Sequence, residues 1–192
     1  MTEVRRPRAA PRPVDPLLAL VERIDRWRRR IEAVRPGSIL GIERQRYRGD
    51  GVRLADGARV APGARIWTIH FDNARLSELA AAGWQTRAYA VADGDLREIA
   101  RRVARCAPAQ RPVALYGVTL LASLTRRVGF ELRDRRRTPW VRLEDWYLRS
   151  LLARWSPAGR RRLGRGHGDL RTRETWLSTE ELMRRYGEPP PL

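Results

Sequence analysis

Asp56-Gly57-Ala58-Arg59-Val60-Ala61-Pro62-Gly63-Ala64-Arg65-Ile66-Trp67-Thr68-Ile69-His70-Phe71-Asp72-Asn73 is the stretch that decides the fold. Asp56-Gly57 is a turn dipeptide flanked by apolar residues on alternate positions, Val52 and Leu54 before it and Val60 after it, which predicts a hairpin. Pro62-Gly63 predicts a second turn, after which Ile66, Trp67 and Ile69 read as a strand. Asp72 is placed to cap a helix that starts at Asn73, buries Leu76, Leu79 and Ala80, and stops at Gly83. Together with the apolar, then alternating residues 38–47, this predicts three short antiparallel strands between residues 39 and 71.

Working outward, residues 1–14 are Arg, Pro and Ala with almost nothing to bury, and are expected to be disordered. Asp15-Pro16 makes a helix start, and Leu17, Leu20, Val21, Ile24, Trp27 and Ile31 recur at helical spacing, so an N-terminal amphipathic helix is expected to run until Pro36-Gly37. Downstream, residues 84–92 fit strand or helix equally. Leu96, Ile99, Ala100 and Val103 mark a helix over 95–106, with Cys106 on its buried side. Residues 112–116 predict a strand that passes through Gly117 into a helix over 119–128, and 130–132 a further strand. Trp140, Trp146 and Trp155 belong to an aromatic-rich helix near 143–155 whose stripe is expected to pack on the core. Residues 156–175 read as a basic loop. Ser178 with Glu181 forms a capping box for a last helix through Tyr186, and 188–192 is a Pro-rich tail. The fold class is α+β: a small antiparallel sheet with several packed helices, in a single domain over 15–187 whose core lies in 37–134.

The net charge of +18 favours anionic surfaces. Yet all 40 basic residues are arginine, which beside the abundant Ala, Pro and Gly also reflects GC-rich coding, and they are spread along the chain. Specific nucleic-acid binding is therefore not expected. No run is long and apolar enough for a membrane span or a signal peptide, and a single cysteine excludes an internal disulfide. The expected location is the cytoplasm, with peripheral contact to the membrane as an extension of the charge argument.

The chain lacks a Gly-x-Ser-x-Gly elbow, a His-Glu-x-x-His pair and a phosphate loop ending in Lys. Neither a metal nor a cofactor is expected. His70 and Asp72, two apart, fall on one face of the strand, and Asn73 brings helix N–H groups beside them, so a polar or anionic ligand is expected there. Tyr47 and Tyr116 are candidates to line the same site, with Glu43, Arg44 and Arg46 nearby. The plainer alternative is that Asp72 only caps the helix and His70 donates to a backbone carbonyl. A catalytic alternative makes His70 a general base oriented by Asp72. Arg135, Arg136, Arg137, Arg160, Arg161 and Arg162, with the Trp-rich helix, are the candidates for an anionic-surface face of membrane headgroups or RNA. His167 and Asp169 repeat the His-x-Asp spacing in a glycine-rich loop and read as solvated.

Asp56-Gly57, Val60, Gly63, Ile66, then Ile69-His70-Phe71-Asp72-Asn73 and Leu76 resemble the motif of the YkoP-like domain, as do Tyr116-Gly117-Val118-Thr119-Leu120-Leu121 and Gly129-Phe130. Ala64 stands where that family often has Asp, and Thr68 where it often has Glu. The resemblance implies a bacterial domain found alone or beside polysaccharide deacetylases, without deacetylase activity of its own. It implies His70, Phe71, Asn73, Tyr116 and Gly117 as signature positions, and a setting among envelope polysaccharide or lipid enzymes as partners.

Overall fold

The computed structural model describes residues 30–81, 84–155 and 171–188. Its strands are β1 (Glu32–Ala33), β2 (Leu40–Arg46), β3 (Val52–Arg53), β4 (Arg59–Val60), β5 (Arg65–Phe71), β6 (Ala114–Thr119), β7 (Glu131–Asp134) and β8 (Arg173–Ser178). The helices are α1 (Asn73–Ala81), α2 (Trp84–Arg105), α3 (Ala122–Arg127), α4 (Pro139–Trp155) and α5 (Thr179–Tyr186). The α+β class holds, but the sheet is neither small nor purely antiparallel. Six strands run in the order β1-β2-β5-β6-β8-β7, and β5 and β6 are parallel. The parallel pair arises because α1 and α2 intervene between them, a connection long enough to return the chain in the same direction.

Both turns of the opening stretch form, with Gly57 at φ 92° and Gly63 at φ 79°, a left-handed region that glycine enters without a Cβ clash. The hairpin they shape stands apart from the main sheet: β3 pairs only with β4, while β2 pairs directly with β5, Leu40 opposite Phe71 and Arg46 opposite Arg65. Gly63 N–H to Tyr47 O and Tyr47 N–H to Ala64 O, both 2.8 Å, close the insertion where it leaves the sheet.

Alternation along the strands divides the sheet into two faces. Leu40, Ile42, Trp67, Ile69, Leu115 and Leu177 face the helices and meet Leu96, Ile99 and Val103 of α2 and Leu182 of α5. On the other face the hairpin residues Leu54 and Val60 cover Ile66, Ala114 and Trp176. Asp56 is tied into this arrangement, for Ser178 Oγ donates to its carboxylate and accepts the N–H of Glu181 at 2.9 Å, forming the N-cap of α5.

Three further expectations change and one reading left open is decided. Glu32 and Ala33 pair with Ile42 and Gly41, so the end of the expected N-terminal helix is an edge strand, and residues 15–29 lie outside the described residues. Residues 84–92 are helical and extend α2. Arg173–Ser178, read as loop and cap, is a strand paired on both sides. Trp140 and Trp146 do not pack on the core; they are 79% and 65% exposed.

Candidate functional site

β2 and β5 place the best-defined polar group. Gly41 lies opposite His70 and Glu43 opposite Thr68, and neighbours two apart on one face are within reach of long side chains. Across that diagonal, His70 Nε2 and Glu43 Oε2 are 2.9 Å apart, with side chains 25% and 17% exposed. His70 therefore faces a carboxylate on the neighbouring strand. That carboxylate is Glu43, which the sequence placed near the site without pairing it to His70.

Asp72 follows the strand. Its N–H donates to Ile39 O at 2.9 Å, and its Oδ1 accepts Arg75 N–H at 3.0 Å, which is the capping role. Asn73 is the first residue of α1.

A polar row continues from His70 along the same face. Gln45 Nε2 donates to Thr68 Oγ1. Beyond them Tyr116 OH donates to Glu174 Oε1 at 3.5 Å and Trp176 Nε1 to Glu174 Oε2 at 3.3 Å. Trp176 is fully buried, with Tyr116 tilted against it at 4.5 Å and Tyr47 edge-on at 5.3 Å. Burial first, and the Glu174 charge second, push the phenols of Tyr47 and Tyr116 up, so both are neutral donors. The two tyrosines expected beside His70 thus share its face, but their contacts are with Trp176 and Glu174.

His70 and Asp72 also line an open groove of about 1010 Å³ along the sheet edge. Its walls include Arg35, Gly37, Arg75 and Arg102, with Glu98 as the other carboxylate. Arg35 Nε is held by Asp95 at 2.8 Å, Arg75 Nη1 by Glu78 at 2.5 Å and Arg102 Nε by Glu98 at 3.5 Å. Each guanidinium has five N–H donors, so Arg35 and Arg75 keep donors beyond these bonds; Arg35 is anchored on the buried Asp95, whereas Arg75 pairs with an exposed glutamate. None of the three was singled out from sequence, because arginine is too common in this chain to carry a signal. Gln45, Thr68 and Glu174 were missed as well, although the alternation Gly41, Glu43, Gln45 against Leu40, Ile42 shows the polar side of β2.

The residues read as an anionic face divide. Arg135 turns inward to Glu144 at 2.6 Å and Thr172 at 3.2 Å. Arg136 and Arg137 are exposed, and residues 160–162 lie outside the described set. Among the described residues no group of three His, Cys, Asp or Glu could hold a metal, and no helix is long and apolar enough to cross a membrane.

The sequence profile of the YkoP domain matches residues 15–186 of the 192. The chain belongs to the YkoP-domain family. No curated protein and no solved structure matches it. In this YkoP domain the signature residues have visible structural work: Asp56 ties the hairpin to the α5 cap, and Phe71 packs on the helix-side core. Gly117 passes where a Cβ would lie 3.2 Å from Thr175 Oγ1 and 3.3 Å from Ile69 O. His70 is the signature residue that faces both groove and polar row.

Proposed function

We propose that this YkoP domain is a binding module, without a reaction of its own, that takes a polar ligand carrying an anionic group at the His70 edge. The observation that supports this reading is the position of His70 between the polar row and a groove walled by Arg35, Arg75 and Arg102. An anionic group would be met by guanidinium donors, of which Arg35 is already held by the buried Asp95, so less side-chain ordering is lost on binding there. The hydroxyl and amide groups of Thr68 and Gln45 suit a neutral, hydroxyl-bearing remainder of the ligand. A phosphorylated sugar or a lipid phosphate of envelope metabolism, met in the cytoplasm or at the membrane face, has that chemistry, and the family resemblance points to the same setting.

Calorimetric titration with glucose 1-phosphate, inorganic phosphate and glucose tests the reading. The phosphorylated sugar should bind best, and His70→Ala and Arg75→Ala should each weaken it by roughly tenfold or more, the loss of one charge-assisted hydrogen bond. Equal binding by wild type and His70→Ala, or binding of glucose alone with the same strength, defeats it.

A second reading, an arginine-based binder of anionic surfaces, is favoured by one observation: α4 turns Trp140, Trp146 and Tyr147 to solvent.

A further inference from the structure

α4 is 17 residues long, about 25 Å at 1.5 Å per residue. Successive residues of a helix turn by about 100°, so Leu143, Trp146, Tyr147 and Ser150 fall on one side with Trp140 at its margin. This side is the exposed one: Trp140 is 79%, Leu143 53%, Trp146 65% and Tyr147 41% exposed. The opposite side holds the helix to the body, where Glu144 pairs with Arg135 and Asp145 accepts Thr172 N–H at 2.9 Å. A contiguous exposed apolar stripe on a helix that is otherwise anchored marks a contact surface.

Its border says what the surface contacts. Arg142 lies on the helix beside the stripe, and Arg136 and Arg137 precede its first turn; all three are exposed. None of them is in an ion pair among the described residues, although ion pairs are frequent elsewhere in the chain. Aromatic and aliphatic side chains in the middle with arginines at the rim is the distribution of a helix that lies in the plane of a bilayer surface. RNA fits less well, because Leu143 at the centre of the stripe has no ring on which a base could stack.

We infer that α4 is a peripheral membrane helix, which sets Trp140, Leu143, Trp146 and Tyr147 into the headgroup region of an anionic bilayer while Arg136, Arg137 and Arg142 meet lipid phosphates. The inference rests on the second reading above and narrows it to a lipid surface. It is independent of the His70 groove.

Sedimentation of the full chain with phosphatidylcholine vesicles, with and without 30% phosphatidylglycerol (about one lipid in three), tests it at low and high salt. Three arginines near an anionic surface predict roughly a hundredfold stronger partitioning into the anionic vesicles, lost in high salt. Trp146→Ser should weaken partitioning about tenfold and reduce the blue shift of tryptophan emission that vesicles produce, leaving the part due to Trp140. Its exposed position leaves the fold intact, which thermal melting checks. Arg136→Gln with Arg137→Gln should remove the preference for anionic lipid. His70→Ala should change none of these, so the groove and the helix stand or fall separately. Equal binding to both vesicle types, or unchanged partitioning of Trp146→Ser, overturns the inference. So does binding to a single-stranded RNA without binding to vesicles, which leaves the broader second reading in place. A dimer that Trp146→Ser dissolves, in protein that ignores vesicles, overturns it too.

Discussion

Replacing Asp95, which lies behind the groove wall, by alanine should be the most damaging single change to that wall. Asp95 is fully buried on α2. One carboxylate oxygen accepts the N–H groups of Ile39 and Leu40 at 2.9 and 3.2 Å, and the other accepts Arg35 Nε at 2.8 Å. It thereby holds the turn from Val34 to Leu40 that forms one wall of the groove. In Asp95→Ala the two N–H groups stay buried without an acceptor, at about 1–3 kcal/mol each. Arg35, 40% exposed, recovers much of its loss by turning to water. The net effect should be about 3–5 kcal/mol, the usual result of breaking a buried charged pair. For a chain of this size that is a fall in Tm of roughly 10 °C.

Asp95→Asn keeps one oxygen for the backbone but presents an NH2 group to Arg35, so it should lose about half as much. Burial, outweighing the three donors, pushes the Asp95 carboxyl up from its ordinary value. The folded state then holds the proton more tightly than the unfolded one. That increment of stability is present below the ordinary Asp range and is lost as pH rises through the raised value. The difference between wild type and Asp95→Asn should therefore shrink as pH rises over that interval. Urea melts of both variants against pH provide the measurement. A loss below about 1 kcal/mol for Asp95→Ala would refute the claim that this carboxylate holds the turn, since a single ordinary hydrogen bond contributes that much.

Glu181, pulled down to about 2 chiefly by the hydrogen bonds of Arg184 and then by Arg185, stabilises α5 above the ordinary glutamate range and loses that effect as pH falls toward 2. Glu181→Gln should flatten acid denaturation over this window, as read by circular dichroism. Tyr116, pushed up by burial and Glu174, should ionise late in an alkaline ultraviolet titration, and Tyr116→Phe should remove that late component. Its contribution to stability is intact below the ordinary tyrosine range and is lost as pH climbs through the raised value. Gly117→Ala should lower stability by about 1–2 kcal/mol in denaturant melts, because its Cβ presses on Thr175 Oγ1 and the Ile69 carbonyl.

Local signals in the sequence carried well. The two glycine turns, the Asp72 cap on α1 and the Ser178 to Glu181 cap on α5 depend on residues within a few positions of each other, and each forms. Pairings set by tertiary contacts were not legible. β8 escaped because Arg-Glu-Thr-Trp-Leu-Ser has no apolar alternation, and it has none because both of its faces are covered, Trp176 by the hairpin and Leu177 by the helices. The pairing of His70 with Glu43 was not legible for a related reason. Asp72 is near in sequence, whereas Glu43 becomes its neighbour only through the register of β2 on β5. The aromatic-rich helix was legible as a helix, but period alone does not say whether an apolar side meets the core or is left outside.

The position of β8 also bears on how the chain is made. It lies between β6 and β7, yet its residues come after both. While a ribosome is still adding residues 173–178, β6 offers a bare hydrogen-bonding edge and β7 has nothing to pair with. The nascent protein must carry its signature Tyr116-Gly117 strand half-paired from the time β6 is made until β8 follows, and in that interval it is open to aggregation or to a chaperone.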